Sequence, residues 1–302
     1  WSSDVCSSDL SCHAGQAAVD KHLQFMRVTG MDLCKIQYEA VMPPLAAIQR
    51  PADWRQMPSY GLDFYEGQLA CVKGLVRAAK PEALVLVTLY SPFMAAGHTA
   101  GEGVAGYDAI CAHLREDPEA VRPGLEAITA STLRFVRACI RLGVDGFYAS
   151  TQGAETGHLD DPAIFRDYIR PYDLAVMNEI ATACPFNILH VCDYHGAYDD
   201  LTPVLDYPGQ VVNLPNQVAG RPLSPQAGAA LFGRPYMGGM ERLGALANGT
   251  RAEVQAEAEH VLAAKAPRMF LAADCTVPSH APWANLKAAV DVARAWAPSE
   301  VA

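Results

Sequence analysis

A histidine and a cysteine two residues apart, His190-Val191-Cys192, stand in the short apolar run 187–192 (NILHVC), and a third group, the thiol of Cys275, ends the run 269–275 (MFLAADC). In a β-strand, residues two apart project from the same face, so His190 and Cys192 point together with Ile188 below them. One imidazole and two thiolates form a donor set for zinc, with a fourth position free or held by a carboxylate. The plainer reading is packing: cysteine serves readily as a small apolar side chain, and a core histidine can be satisfied locally. Glu155, in the stretch 150–155 (STQGAE), is the candidate carboxylate, though a loop acid there also reads as surface. His195 extends the run to HVCDYH and can replace one ligand from the loop. Cys34, Cys71, Cys111, Cys139 and Cys184 fall on a strand or on helical faces and read as packing.

Lys35, Gln37 and Glu39 alternate with Cys34, Ile36 and Tyr38. Such a polar stripe points either into a barrel lumen, as candidate catalytic groups in need of buried partners, or out from an exposed edge. Tyr90 to Phe93 with Gly97-His98-Thr99 reads as a loop at the same end as the thiols, and Asp193, Asp199 and Asp200 read as a solvated acidic loop.

The elements that must position these groups follow a simple alternation. Seven short runs, 32–38, 84–90, 144–149, 187–192, 210–214, 234–238 and 269–275, are mostly β-branched or aromatic, as buried parallel strands should be. Between them lie amphipathic stretches. Over Pro118–Leu142, Leu125, Ile128, Thr132, Phe135 and Cys139 recur at helical spacing, with Gly143 as the stop. Asp161-Pro162 opens another helix, and 252–265 and 283–296 supply the last two. Alternating βα units predict a parallel sheet and an α/β fold. A (β/α)8 TIM barrel needs eight strands, so the expectation is a barrel missing its first strand through N-terminal truncation. A doubly wound open sheet is the alternative, but 38–44 (YEAVMPP) lacks its glycine-rich turn.

The first ten residues, WSSDVCSSDL, read as the in-frame translation of a sequencing adapter, and are expected to pack against nothing. Residues 11–302 then form one barrel domain. Of 302 residues 51% are hydrophobic, and no apolar run reaches membrane-span length. The net charge of −10 argues against a nucleic-acid partner. Nine cysteines scattered singly point to a reducing, cytoplasmic setting rather than a disulfide scaffold.

Taken together, several stretches resemble the uroporphyrinogen decarboxylase superfamily: Ser91-Pro92-Phe93 before Gly97, Gln152-Gly153-Ala154 before 161–172 (DPAIFRDYIRPY), 188–192 (ILHVC), Gly238-Gly239-Met240, and 274–285 (DCTVPSHAPWAN). The resemblance implies a single (β/α)8 barrel. One branch of that superfamily decarboxylates a porphyrinogen without metal, using an aspartate where this chain has Tyr38-Glu39. Another branch, similar to methylcobamide:coenzyme M methyltransferases, carries zinc on residues that map onto His190, Cys192 and Cys275. Asp193 and Asp274 stand where that branch usually has glycine. The resemblance thus implies a zinc-dependent methyltransferase moving a methyl group from a corrinoid, held on a separate protein, or from a related carrier, to a small-molecule thiol. The alternatives are metal-free decarboxylation of a tetrapyrrole substrate and a non-enzymatic corrinoid- or tetrapyrrole-binding module.

Overall fold

All seven apolar runs become strands, and all seven pair in parallel in chain order. The computed structural model describes residues 13–37, 40–264 and 268–296. Within them the strands are β1 (Leu33–Ile36), β2 (Leu84–Tyr90), β3 (Gly146–Thr151), β4 (Ile188–Val191) and β5 (Val211–Asn213). A small antiparallel hairpin of β6 (Gln217–Val218) and β7 (Arg221–Pro222) stands outside the sheet, which resumes with β8 (Tyr236–Met240) and β9 (Phe270–Ala273).

Helices cover the outer face. α1 (Gly15–Thr29) precedes β1, and α2 (Glu66–Ala79) follows it. α3 (Pro92–Ala100), α4 (Gly103–Glu116) and α5 (Pro118–Leu142) lie between β2 and β3. α6 (Pro162–Ile164), a π-helical turn over Phe165–Ile169 and α7 (Arg170–Ala183) lead to β4. α8 (Pro225–Phe232) leads to β8, α9 (Ala245–Asn248) and α10 (Arg251–Ala263) to β9, and α11 (Trp283–Ala295) closes the series. Local chemistry sets several of these limits. Asp117 caps α5 by accepting the Ala120 N–H, Pro118 occupies its first position, and Gly143 ends it in the left-handed region.

Two strands begin two residues later than the sequence suggests. The Asp145 carboxylate accepts the Val85 N–H, so β3 starts only at Gly146 and runs through Ser150 and Thr151. Pro235 has no N–H for the ladder, and β8 starts at Tyr236. A third difference lies after β2. Tyr90 to Thr99, read as a loop, is mostly the helix α3, because the Ser91 hydroxyl accepts the Met94 N–H and Pro92 presets the first turn.

The sheet curls so that its ends approach. α1 packs on α11, and Arg294 of α11 reaches Asp32 at 3.0 Å and the Gly30 carbonyl, just ahead of β1. Among the described residues β1 and β9 do not pair with each other. Leu33 and Lys35 of β1, and Phe270 and Leu271 of β9, line a cavity of about 250 Å³ together with the interior residues Leu86, Tyr148, Ile188 and Met237. The eighth strand of the expected barrel is not among the described residues. The decapeptide 1–10 and Glu39 also lie outside them. Among the described residues no helix is long and apolar enough to cross a membrane.

The interior is layered. Leu86, Tyr148, Ile188, Val211, Met237 and Ala272 form an apolar layer with Leu33 and Phe270. Two residues further along the same strands stand Thr88, Ser150, His190, Asn213 and Lys35, so the period of two that builds the apolar floor places a polar layer on the carboxyl-end side. Cys34 and Ile36 belong instead to the core under the helices.

β3 has little room at its first residue. A Cβ on Gly146 would lie 1.6 Å from the Phe186 carbonyl oxygen, a backbone clash with no rotamer to relieve it. Gly143→Ala meets only Val76, at 3.9 Å, and is strained only by its φ of 90°. Urea unfolding should therefore show a loss of about 3 kcal/mol or more for Gly146→Ala, against about 1 kcal/mol for Gly143→Ala. Equal losses would mean that β3 yields at this position.

Candidate metal centre

β4 carries His190 and Cys192 inward at its carboxyl end, and the chain leaving β9 brings Cys275 beside them. Their ligand atoms all lie within 4.8 Å of one another, and all three residues are buried. The Cys192 and Cys275 sulfurs are 3.7 Å apart, and Cys275 Sγ lies 3.4 Å from His190 Nε2. A tetrahedral ion with bonds of roughly 2.3 Å to sulfur and 2.05 Å to nitrogen places sulfurs about 3.8 Å apart and sulfur and nitrogen about 3.5 Å apart. The two measured separations fit that requirement.

The thiols themselves mark the site. Burial pushes the thiols of Cys34 and Cys111 up to about 12 and raises Cys139 and Cys184 as well, which leaves them inert. Cys275 goes the other way. The Cys192 sulfur beside it, with His190 and Arg242 close by, holds its thiol well below the ordinary range, while the same contact and burial push Cys192 up.

Around this pair the polar layer is closely bonded. The Tyr148 ring stacks against the His190 imidazole at 5.1 Å, and its hydroxyl donates to Asn213 Oδ1 at 2.5 Å. Asn213 Nδ2 donates to the Met237 and Ala273 carbonyls, tying β5 to β8 and β9. Lys35 sits 4.8 Å from the centre of the Tyr148 ring, so of the stripe Lys35 points to the inner face of the sheet. Gln152 Nε2 donates to Cys192 Sγ at 3.6 Å, and His195 Nδ1 meets Gln152 Oε1 at 3.4 Å. His195 therefore reaches the sulfurs through an amide rather than directly. Met94 of α3 and Tyr90 pack on the two sulfurs from the mouth side.

Glu155 is not grouped with the three donors. Its Oε2 accepts the Gly153 N–H, the Tyr107 and Tyr198 phenols lie against it, and its Oε1 is buried without a partner among the described residues. Tyr198 in turn donates to the Cys192 carbonyl at 3.0 Å. Burial lifts the Glu155 carboxyl from its usual 4.5 to about 7.

Asp193 corrects the reading of a solvated acidic loop. Asp199 and Asp200 are exposed, but Asp193 turns inward to Arg242 at 2.9 Å, and Arg242 also meets Asp274 at 3.2 Å. Burial lifts Asp193 to about 6. Sequence reasoning did not single out Arg242, Tyr148 or Asn213, and it named Gln152 only within a stretch resembling the family. A polar residue two places beyond an apolar one on a buried strand, as in Val211-Val212-Asn213, was the available signal for Asn213. Arg242 had none, because Asp193 read as a solvated acid and Asp274 lies 32 residues further along the chain.

A carboxyl whose folded pKa is raised binds protons more tightly when folded, so its share of stability falls as pH rises from about 4.5 through about 7. Glu155→Gln, which keeps an oxygen for the Gly153 N–H, should raise the free energy of unfolding at pH 8 by on the order of 2–3 kcal/mol and change it little at pH 5. Unfolding curves that shift equally at both values would show that Glu155 is not a buried titrating acid.

Comparison with known proteins agrees with this architecture. In fold the chain is similar to a methyltransferase from Methanosarcina mazei, with a TM-score of 0.70 and 16% identity over 97% of this chain and 89% of that one. It is also similar to a B12-independent methionine synthase from a Shewanella species in complex with selenomethionine, with a TM-score of 0.54 and 11% identity over 92% and 87%. At such identities the likeness is one of fold. No curated protein matches the sequence. The profile of the uroporphyrinogen decarboxylase (URO-D) family matches residues 26–296, nearly the whole length, and the chain belongs to that family.

Proposed function

We propose that the protein is a methyltransferase that delivers a methyl group to a small-molecule thiol, with zinc held by His190, Cys192 and Cys275. The observation that carries this reading is the convergence of one imidazole nitrogen and two sulfurs within 4.8 Å at the carboxyl end of a parallel sheet. The methyltransferase and methionine synthase of similar fold support it. A soft donor set of two thiolates and one imidazole suits zinc over hard divalent cations. Bound there, the metal would supply the Lewis acidity that keeps an incoming thiol deprotonated at neutral pH.

The chain's own residues do the rest. His190 Nε2 and the two sulfurs fix the donor set, and Tyr148 holds the imidazole plane against its ring. Gln152 supplies an N–H to Cys192 Sγ, which steadies charge on that sulfur. Met94 and Tyr90 exclude water from the sulfurs. The substrate sulfur attacks the methyl carbon, the S–C bond forms, and the bond to the carrier breaks with its electron pair staying on the carrier, a corrinoid or a related methyl carrier presented at the barrel mouth. The proton released by the thiol needs an acceptor near neutrality. Glu155, at about 7 with an unpartnered Oε1, holds it there. Lys35 and Glu39 from the first stripe are the further catalytic candidates, Lys35 acting from the lumen through the Tyr148 ring.

Cys275→Ala should reduce bound zinc to background and abolish methyl transfer to a thiol, while the unfolding midpoint moves by only a few degrees. Metal analysis, a thiol-methylation assay and thermal unfolding read the three quantities. A metal-stripped protein that decarboxylates a porphyrinogen, indifferent to chelator and to Cys275→Ala, would sink this reading in favour of the family's namesake reaction.

A further inference from the structure

Two acids flank the sulfurs. Asp193 follows Cys192 directly, and Asp274 precedes Cys275 directly. Both meet the same nitrogen: Arg242 Nη1 lies 2.9 Å from Asp193 Oδ1 and 3.2 Å from Asp274 Oδ2. The other oxygen of Asp274 is also engaged, accepting the backbone N–H of Arg242 at 2.9 Å and that of Cys275 at 3.0 Å. The three side chains are largely withdrawn from solvent, at 16%, 19% and 7% exposure for Arg242, Asp193 and Asp274. One guanidinium therefore joins the segments leaving β4, β8 and β9, and two of those three carry the cysteines.

The arrangement has a chemical purpose that the donor set alone does not explain. Two carboxylates beside two sulfurs crowd four acidic groups into one buried volume. Left unpaired, they would repel one another and force the segments apart. A divalent cation would also draw them in as oxygen ligands, since carboxylate is an ordinary zinc donor. Arginine suits the task of preventing both, because its guanidinium is always charged and here its Nη1 meets both carboxylates. In this structure neither carboxylate is grouped with the three donor atoms, and the sulfurs stand at 3.7 Å.

We infer that Arg242 is a positioning residue of the centre: by pinning Asp193 and Asp274 it sets the spacing of the two sulfurs and keeps both carboxylates out of the ligand set. This rests on the metal reading given above. It makes the open fourth position a product of Arg242, since a released carboxylate would fill the place that the substrate thiol needs.

Cobalt(II) titration of the full chain under anaerobic conditions reads both parts, through the sulfur-to-cobalt charge-transfer band and the intensity of the visible d–d bands. Wild type should give intense, four-coordinate bands. Arg242→Met should bind cobalt about 10- to 100-fold more weakly, with weaker visible bands as a carboxylate raises the coordination number. Adding Asp193→Asn and Asp274→Asn to Arg242→Met should restore the intense bands without restoring the affinity. Arg242→Lys, which keeps the charge but not the rigid planar geometry, should fall between wild type and Arg242→Met, and carries the test if Arg242→Met does not fold. Wild-type affinity and wild-type bands in both Arg242 variants would overturn the clamp and leave the metal reading standing. A wild-type protein with no sulfur-to-cobalt band would overturn the metal reading, and the clamp with it.

Discussion

Three donor atoms from two strands must meet in a volume closed to water, and most of the surrounding structure can be read as the means to that end. Cys192 and Cys275 stand 3.7 Å apart, where two charges repel without a cation, and their coupling drives the two thiols in opposite directions, Cys275 down and Cys192 up. The arrangement survives burial because positive charge lies close by on Arg242 and a ring nitrogen of His190 faces the thiolate. It also requires β4 and β9 to end at matching heights. Asn213 contributes to that match, since its amide bonds the Met237 and Ala273 carbonyls and so fixes β8 and β9 against β5.

Burying charge is solved differently a few residues away. Among the described residues no ion pair reaches Glu155, nor Asp173, which is fully buried with Thr151 and Tyr207 as hydroxyl partners. Burial lifts both carboxyls to about 7, so each spends much of its time neutral near physiological pH. The thiol pair and these carboxyls are thus two answers to one constraint: opposite charge nearby for the sulfurs, and a raised pKa for the carboxyls.

How much of this was legible in the residues depends on whether the signal was local. The strand alternation put His190 and Cys192 on one face, and the two-residue period needs no tertiary knowledge. Cys275 was legible because it ends an apolar run. The α5 limits were legible from Asp117, Pro118 and Gly143, each a cap with its own chemistry. Arg242 was not, because an arginine after a strand says nothing until two acids distant in sequence turn toward it. Asp193 misled for the same reason. In sequence it belongs to an acidic stretch, and only the fold decides that it faces inward while Asp199 and Asp200 face solvent. α3 was hidden behind Ser91-Pro92, a pair that opens a helix as readily as it marks a loop.

The contrast between the three converging side chains and their supports bears on how such a fold can change chemistry. His190, Cys192 and Cys275 sit at strand ends that the apolar layer below holds in place, so their positions follow from the fold. Arg242, Asp193, Gln152 and Glu155 sit on the connections beyond those ends, where substitution need not disturb the layer beneath. A family that keeps the strand-end donors and varies the connections can alter which atoms reach the centre, and with what charge, without rebuilding the sheet. In this chain the two acids at the positions flanking the cysteines are neutralised by one guanidinium from the third connection. That places the control of the donor set in the loops, while the sheet supplies only the convergence on which it acts.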